Sequence, residues 1–321
     1  MRHIAAILFI ALGLPLRTAV AQQPGSADEG VVIPLWRNLP PATSPSEDRI
    51  EDRGRNGAHQ RLMFNVTHPD LTLFQAPKDH NTGVAIIVCP GGGFVDLVLD
   101  KEGYDICHWL NTQGITGIVL RYRLPKGEAV RGEVPLPIVD AAQAMRVVRS
   151  HVSEWGIDPH KVGIMGFSAG GRIVSGLGTH FESGNPTATD PLARQSTRPD
   201  FLASVYGGVS LRTPMSTEDG QMKFLGPNPT AAVIDAWSGE LHVTPQTPPA
   251  FITQAKDDPK VPYRNAELFH EALQANHVPS ELLLFEKGDH GFGMGTNRNE
   301  TGTWPGKFIG WLKTQKFIAG N

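Results

Sequence analysis

The run Val84-Ala-Ile-Ile-Val88 narrows the folds open to this 321-residue chain more than any other feature. Five apolar, mostly β-branched residues follow one another with no polar residue at alternate positions, so a strand built from them is buried on both faces. A sheet is covered on both faces when its strands are parallel and the helices that join them pack on either side. The run ends abruptly at Pro90-Gly91-Gly92-Gly93, and the pattern then recurs. Strands are expected at Gly117 to Tyr122, Lys161 to Met165, Phe201 to Val205, Ala250 to Gln254 and Glu281 to Phe285. Helical spacing separates them at Tyr104 to Gln113, Pro137 to Trp155, Ala169 to Gly178, Tyr263 to Asn276 and Trp304 to Ile318. Upstream, Val31 to Trp36 reads as one short strand, and Arg61 to Val66 and Leu71 to Gln75 alternate as exposed strands do. The expected class is α/β, a mostly parallel central sheet with helices on both faces. No period repeats, which excludes a solenoid.

The first 21 residues stand apart from this rhythm. Arg2 and His3 precede an uncharged stretch, Ile4 to Leu14, and Ala19-Val20-Ala21 has the small-x-small form of a signal-peptidase site. The stretch falls short of the ~20 residues a bilayer requires, and Pro15 and Arg17 interrupt it. The expectation is a signal peptide over 1–21 and export to the periplasm or beyond, with no membrane span elsewhere. Residues 22–60 read as an N-terminal extension and 61–321 as one catalytic domain. Within that domain the rhythm breaks over 207–249, a proline-rich stretch with a short helix expected around Ala231 to Trp237. It is expected to be an insertion over the site. A net charge of −3 leaves no electrostatic footprint for nucleic acid. The two cysteines, Cys89 and Cys107, could form one bridge, but their places at a strand end and on a helix favour core packing.

The chemistry concentrates where strands end. Gly166-Phe167-Ser168-Ala169-Gly170 lies where a strand turns directly into a helix. A serine at such a corner projects its hydroxyl above the sheet, and only small flanking residues let the two arms approach. A dinucleotide loop would need glycine where Ser168 stands, because the backbone must approach the pyrophosphate there. Pro90-Gly91-Gly92-Gly93-Phe94 follows another buried strand, so the two loops should meet at one sheet edge. The amides of Gly92, Gly93 and Ala169 are candidate oxyanion donors. A nucleophilic serine needs a base, and the base needs an orienting acid. His290, in Gly288-Asp-His-Gly-Phe292, and Asp258, in Asp257-Asp-Pro-Lys-Val-Pro262, both follow expected strands in the order serine, aspartate, histidine. Asp257 competes with Asp258 for the acid, and Asp289 suits capping of its own loop. No cluster of His, Cys and Asp has metal-ligand spacing, and no cofactor is expected.

These stretches resemble the α/β-hydrolase-fold esterases, in particular the group around acetyl xylan esterases and hormone-sensitive-lipase-like carboxylesterases. The resemblance runs over about 62–315. Besides the loops above it is carried by Asp100-Lys-Glu-Gly103, Trp109-Leu110, Leu120-Arg-Tyr-Arg-Leu124 and Trp155-Gly-Ile-Asp-Pro159. It implies the α/β-hydrolase fold and a Ser168–His290–Asp258 triad, selecting Asp258 over Asp257 because that family's acid is separated from Val-Pro by two residues. Cys89-Pro90 replaces the histidine-led glycine run of the lipase-like branch, which favours the xylan-esterase-like one. The implied activity is hydrolysis of short-chain, acetyl-type esters by an exported serine esterase, on a small-molecule or carbohydrate substrate. Two other readings stand beside it: a serine peptidase of prolyl-oligopeptidase type, and a non-catalytic relative that binds a glycan or a partner. The oligomeric state is left open.

Overall fold

The computed structural model describes residues 30–38, 47–55, 57–125, 134–295 and 300–320. The expected signal peptide, 1–21, lies outside the described residues. In chain order the strands are β1 (Val31–Pro34), β2 (Arg49–Asp52), β3 (Arg61–Phe64), β4 (Asp70–Phe74), β5 (Ala85–Cys89), β6 (Leu97–Val98), β7 (Thr116–Arg121), β8 (Val162–Phe167), β9 (Leu202–Val205), β10 (Ala250–Ala255) and β11 (Ser280–Phe285). The helices are α1 (Asp105–Thr112), α2 (Leu136–Ser150), α3 (Val152–Trp155), α4 (Gly170–Thr179), α5 (Glu218–Leu225), α6 (Ala231–Ala236), α7 (Arg264–Ala275) and α8 (Trp304–Thr314).

Eight strands form one sheet in the order β1-β4-β7-β5-β8-β9-β10-β11. From β7 to β11 neighbouring strands are parallel, while β1 and β4 add an antiparallel edge. This is the α/β-hydrolase arrangement. The continuous apolar run of β5 lies at its centre, and every residue of β5, β8 and β10 is buried, Thr253 and Gln254 of β10 included. Register matters for the site. Cys89 of β5 lies opposite Gly166 of β8, so the two glycine-rich loops leave the sheet side by side.

Four local expectations are corrected. The Leu71-to-Gln75 strand was expected to be exposed, yet β4 is buried throughout, because β1 and β7 pair with it on either side. Its polar positions are absorbed inside: Asp70 holds the guanidinium of Arg121. The single helix expected from Pro137 to Trp155 divides at His151, whose φ of −112° leaves the helical region. There Ser150 Oγ donates to the Val147 carbonyl, and side-chain bonds of this kind compete with the helix ladder. The third correction lies ahead of α1, where Asp100–Tyr104 makes a π turn with Tyr104 N–H donating to Leu99 O at 2.8 Å. The fourth is in 207–249, which holds α5 as well as α6 and a 3-10 turn at Gly239–Leu241. Thr217 starts α5 by accepting the Gly220 N–H.

Cys89 and Cys107 are both free and fully buried. Burial raises both thiols above their ordinary pKa. Cys107 packs against Gly117, where a Cβ would lie 2.7 Å from its sulfur.

Candidate active site

Ser168 stands at the sharp turn between β8 and α4 with φ +50°, in the left-handed region. A non-glycine residue rarely adopts that conformation, and it is stored here by close backbone packing. A Cβ on Gly166 would lie 2.2 Å from the Gly170 carbonyl oxygen, and one on Gly170 would lie 2.2 Å from the Cys89 carbonyl oxygen. On Gly171 it would lie 2.4 Å from the Gly207 Cα. The three glycines of Gly166-Phe-Ser-Ala-Gly-Gly171 are thus required by backbones in contact. The Ser168 carbonyl is fixed from two sides, accepting Gly171 N–H at 3.0 Å and Gly208 N–H at 3.1 Å.

His290 reaches this serine from the loop after β11. Its Nε2 lies 2.8 Å from Ser168 Oγ, and its Nδ1 lies 2.7 Å from Asp258 Oδ2. A carboxylate oxygen only accepts, so Nδ1 carries the proton and Nε2 is left free to accept from the serine hydroxyl. Asp258 follows β10, and its side chain is fully buried. Its other oxygen, Oδ1, accepts the amides of Lys260 at 2.8 Å and Val261 at 2.9 Å. Gln254 of β10 donates through Nε2 to Asp258 Oδ2 at 2.9 Å. The structure brings together Ser168, His290 and Asp258, and places Asp257 elsewhere. Asp257 is exposed, and its Oδ1 accepts the amides of Gly288 at 2.8 Å and Asp289 at 2.9 Å. Those amides hold its carboxyl below the usual range, the Asp289 bond most. Asp289 caps its own loop, accepting the His290 N–H at 2.8 Å.

The glycine loop after β5 borders the same serine. A Cβ on Gly91 would lie 2.8 Å from Ser168 Cβ. Gly92 and Gly93 both have positive φ, +126° and +62°. The N–H groups of Gly92, Gly93 and Ala169 have no hydrogen-bond partner among the described residues. The Gly91 N–H is already engaged, donating to Glu102 Oε2 at 2.8 Å. Tyr122 donates its hydroxyl to the Pro90 carbonyl at 2.6 Å. The stretch Leu120-Arg-Tyr-Arg-Leu124 thereby serves three anchors, since Arg121 pairs with Asp70 and Arg123 with Asp140.

Helix α5 closes in from the 207–249 stretch. Its Phe224 stacks on Phe94 of the glycine loop, with ring centroids 4.9 Å apart. Arg172, in the first turn of α4, donates to the Gly220 carbonyl at 3.1 Å and to Ser216 Oγ at 2.8 Å. Burial without a carboxylate lowers this guanidinium to about 10. Arg172, Phe224, Gln254 and Tyr206 carry no motif that marks them as parts of the site; Arg172, Phe224 and Tyr206 are defined by partners far away in the chain, and Gln254 by the turn that follows β10. Glu102 lies in a stretch that carried the resemblance, without a role. Among the described residues no helix is long and apolar enough to cross a membrane, and no group of His, Cys, Asp and Glu could hold a metal ion.

Comparison with known proteins follows the same lines. The profile of the BD-FAE family matches residues 71–273. An acetylxylan esterase of Xylanibacter ruminicola is 35% identical over 222 residues, 68% of this chain and 43% of that protein. Endo-1,4-beta-xylanase B of Butyrivibrio fibrisolvens is 33% identical over 242 residues, 71% of this chain and 35% of its own length. The chain thus spans less than half the length of these two curated relatives. The crystal structure of an acetyl ester-xyloside bifunctional hydrolase from Caldicellulosiruptor lactoaceticus matches with a TM-score of 0.79 at 33% identity, covering 92% of this chain and 100% of that one. A carboxylesterase of Lactobacillus plantarum shares the fold at a TM-score of 0.64 and 21% identity, covering 85% of this chain and 100% of that one.

Proposed function

This chain belongs to the BD-FAE family, within the α/β-hydrolase-fold esterases, and on that premise we propose that it hydrolyses acetyl-type esters of carbohydrates through Ser168, His290 and Asp258. The observation that carries the reading is the unbroken line of bonds from Ser168 Oγ through His290 to Asp258. In the reaction, Ser168 Oγ attacks the ester carbonyl while His290 Nε2 takes its proton. Asp258 keeps the imidazole in the tautomer that can accept, and stabilises the imidazolium once it forms. The carbonyl oxygen becomes an oxyanion, held by the amides of Gly92, Gly93 and Ala169; losing one such donor typically costs about 10²–10³ in rate. His290 then passes its proton to the departing alkoxide, and the sugar hydroxyl leaves. Water, deprotonated by His290, attacks the acyl-enzyme, and acetic acid departs as Ser168 regains its proton.

Carbohydrate as the alcohol half is supported by the acetylxylan esterase and the acetyl ester-xyloside hydrolase among the relatives. Residues 61–321 form the catalytic domain in this reading, with 207–249 as an insertion beside the site, and 1–21 act as an export signal. Fluorophosphonate labelling and initial rates on p-nitrophenyl acetate, longer acyl esters and acetylated xylan test it. The wild type should label at Ser168, prefer acetyl to longer chains, and release acetate from the polymer. Ser168→Ala should abolish label and turnover. A folded Ser168→Ala variant as active as the wild type refutes the nucleophile, and peptide-amide cleavage without ester cleavage refutes the ester substrate.

A further inference from the structure

Glu102 is a buried carboxylate beside the site for which the reaction above has no use. It lies in the π turn Asp100–Tyr104 and is 4% exposed. One oxygen accepts the Gly91 N–H at 2.8 Å, and the other accepts the hydroxyl of Tyr206 at 3.0 Å. The Tyr206 oxygen in turn accepts the N–H of Gly293 at 3.0 Å, in the loop that carries His290. Trp304 Nε1 fixes the same glycine by donating to its carbonyl at 2.9 Å. Tyr206 follows β9 with φ +41°, its amide held by Thr253 O at 2.8 Å, and its ring lies edge-on to the His290 imidazole with centroids 5.3 Å apart.

We propose that Glu102 is a positioning residue that, through Tyr206, locks the glycine loop and the histidine loop into one frame around Ser168. The proposal rests on the serine-esterase reading above. Three features of the geometry carry it. First, Glu102 and Tyr206 join the loop that supplies the oxyanion amides to the loop that supplies the base, two loops that act on one ester group from opposite ends of the chain. Second, the Glu102 bond fixes the Gly91 amide, immediately ahead of the two amides of the loop that have no partner among the described residues. The space there is tight: a Cβ on Gly91 would lie 2.6 Å from Glu102 Oε2. Third, among the described residues no Arg or Lys makes an ion pair with Glu102, and the buried carboxylate is met by hydrogen bonds instead. A buried carboxylate without a cation is unfavourable. His290 becomes a cation in the transition state, and the Tyr206 ring that links it to Glu102 lies edge-on to the imidazole, so the carboxylate is placed to favour that charge as it forms. Burial raises the Glu102 carboxyl above its ordinary range, while the Gly91 amide, the Tyr206 hydroxyl and His290 oppose that shift.

The test compares Glu102→Gln, Tyr206→Phe and the double variant with the wild type, by kcat and KM on p-nitrophenyl acetate, by the pH dependence of kcat/KM, and by thermal unfolding. Glutamine can keep the Gly91 N–H on its oxygen, but its NH2 can meet Tyr206 only as a donor, so the tyrosine must turn its own proton away and the charge-assisted bond is lost. Expected is a fall in kcat of about 10–100-fold in Glu102→Gln with KM within about threefold, the sign of an interaction made mainly in the transition state. Tyr206→Phe should lose about tenfold, and the double variant no more than about twofold beyond Glu102→Gln, since residues of one network are not additive. The charged groups around His290 are Asp258 and Asp257 after β10, Asp289 in its own loop, Lys101 of the π turn, whose Nζ lies 3.9 Å from where a Gly291 Cβ would be, and Glu102. Only Glu102 changes charge in these variants. The acid limb of kcat/KM should therefore move to lower pH in Glu102→Gln and stay in place in Tyr206→Phe, which a purely structural role would not produce. Unchanged kcat in folded single variants, losses that multiply in the double variant, or an acid limb that does not move overturns the proposal. Should Glu102→Gln fail to fold, an unchanged kcat in Tyr206→Phe overturns it and a tenfold loss at unchanged KM supports it. A wild type that neither turns over ester nor takes a fluorophosphonate overturns the esterase reading and this proposal with it, whereas an active, labelled wild type with unaffected variants overturns this proposal alone.

Discussion

Asp258→Asn tests the mechanism where the geometry leaves least freedom. Oδ1 of Asp258 faces two backbone amides, Lys260 N–H and Val261 N–H, neither of which can turn away. An asparagine there keeps its oxygen on that side, since the opposite orientation sets its NH2 against two part-buried backbone donors and loses two hydrogen bonds, about 0.5–1.5 kcal/mol each. Its NH2 group then occupies the place of Oδ2, facing His290 Nδ1 and Gln254 Nε2, which both donate in the native protein. Both neighbours can adapt. Gln254 Oε1 is buried with no partner among the described residues, so a flip of the amide offers it to the new NH2 at the loss of the Val261 carbonyl bond, 2.9 Å in the native protein. His290 can move its proton to Nε2 and accept at Nδ1. The fold therefore survives, with a net change of about one hydrogen bond, roughly 0.5–1.5 kcal/mol. The base does not survive, because an Nε2–H pointed at Ser168 Oγ cannot take the serine proton. The same substitution in a serine protease of different fold lowers kcat by about 10⁴, or about 5.4 kcal/mol in barrier, and the same tautomer argument gives that figure here. The assay is kcat on p-nitrophenyl acetate beside a thermal melt. A well-folded Asp258→Asn variant that keeps more than a tenth of wild-type kcat refutes the tautomer argument and the assignment of Asp258 as the acid.

Gly170→Ala should lose activity and about 1–3 kcal/mol of stability by thermal unfolding, because its Cβ would meet the Cys89 carbonyl oxygen at 2.2 Å. Gly310→Ala, on the exposed side of α8 with nothing within 4 Å, should instead add about 0.5–1 kcal/mol in the same measurement. The two thiols should resist Ellman's reagent in the folded protein and titrate as two equivalents in denaturant, since both are free and fully buried. Asp257→Ala should lower kcat by about tenfold, within the ~10²-fold that a misplacement of 1 Å can cost, because it frees the amides of Gly288 and Asp289 ahead of His290. Asp257 has a depressed folded pKa, so its contribution is present above the unfolded value near 3.9 and is lost as pH falls below it. The melting temperatures of wild type and Asp257→Ala should therefore converge under acid and differ most above about pH 4.

What could be read in the sequence was whatever depends on neighbours in the chain. A continuous apolar run located β5, and mainly apolar runs located β7 and β8, because burial on both faces leaves few positions for polar residues. The Gly166-to-Gly171 corner was legible because three nearby backbones demand the absence of a side chain there. The burial of β4 was not legible, since Thr72 and Gln75 supply the alternation of an exposed strand, while the charge of Asp70 just ahead of them is met inside by Arg121, 51 residues away. Helix α5 escaped notice among prolines and glycines, because its stability comes from Phe224 on Phe94 and from the grip of Arg172 on Gly220. Asp257 and Asp258 are adjacent and chemically alike, so the residues alone did not choose between them. What separates them in space is that one turns into the fold to meet His290 while the other stays outside and ties down the loop.

The arrangement of these ties explains how loops can hold chemistry that needs fixed distances. Each loop is anchored by a side chain from a different element: the glycine loop by Tyr122 and Glu102, the histidine loop by Asp257, Tyr206 and Trp304, the aspartate loop by its own amides and Gln254. Helix α5 joins the same frame, bound to the nucleophile helix through Arg172 and to the glycine loop through Phe224. A segment tied to both sides of a site cannot swing away from one without leaving the other, so α5 behaves as a wall. Preorganised donors need no rearrangement as charge develops, and that is where most of their effect on rate arises. Glycine at Gly166, Gly170 and Gly171 follows from the same requirement, because side chains can anchor loops from outside only if the backbones at the centre are free to touch.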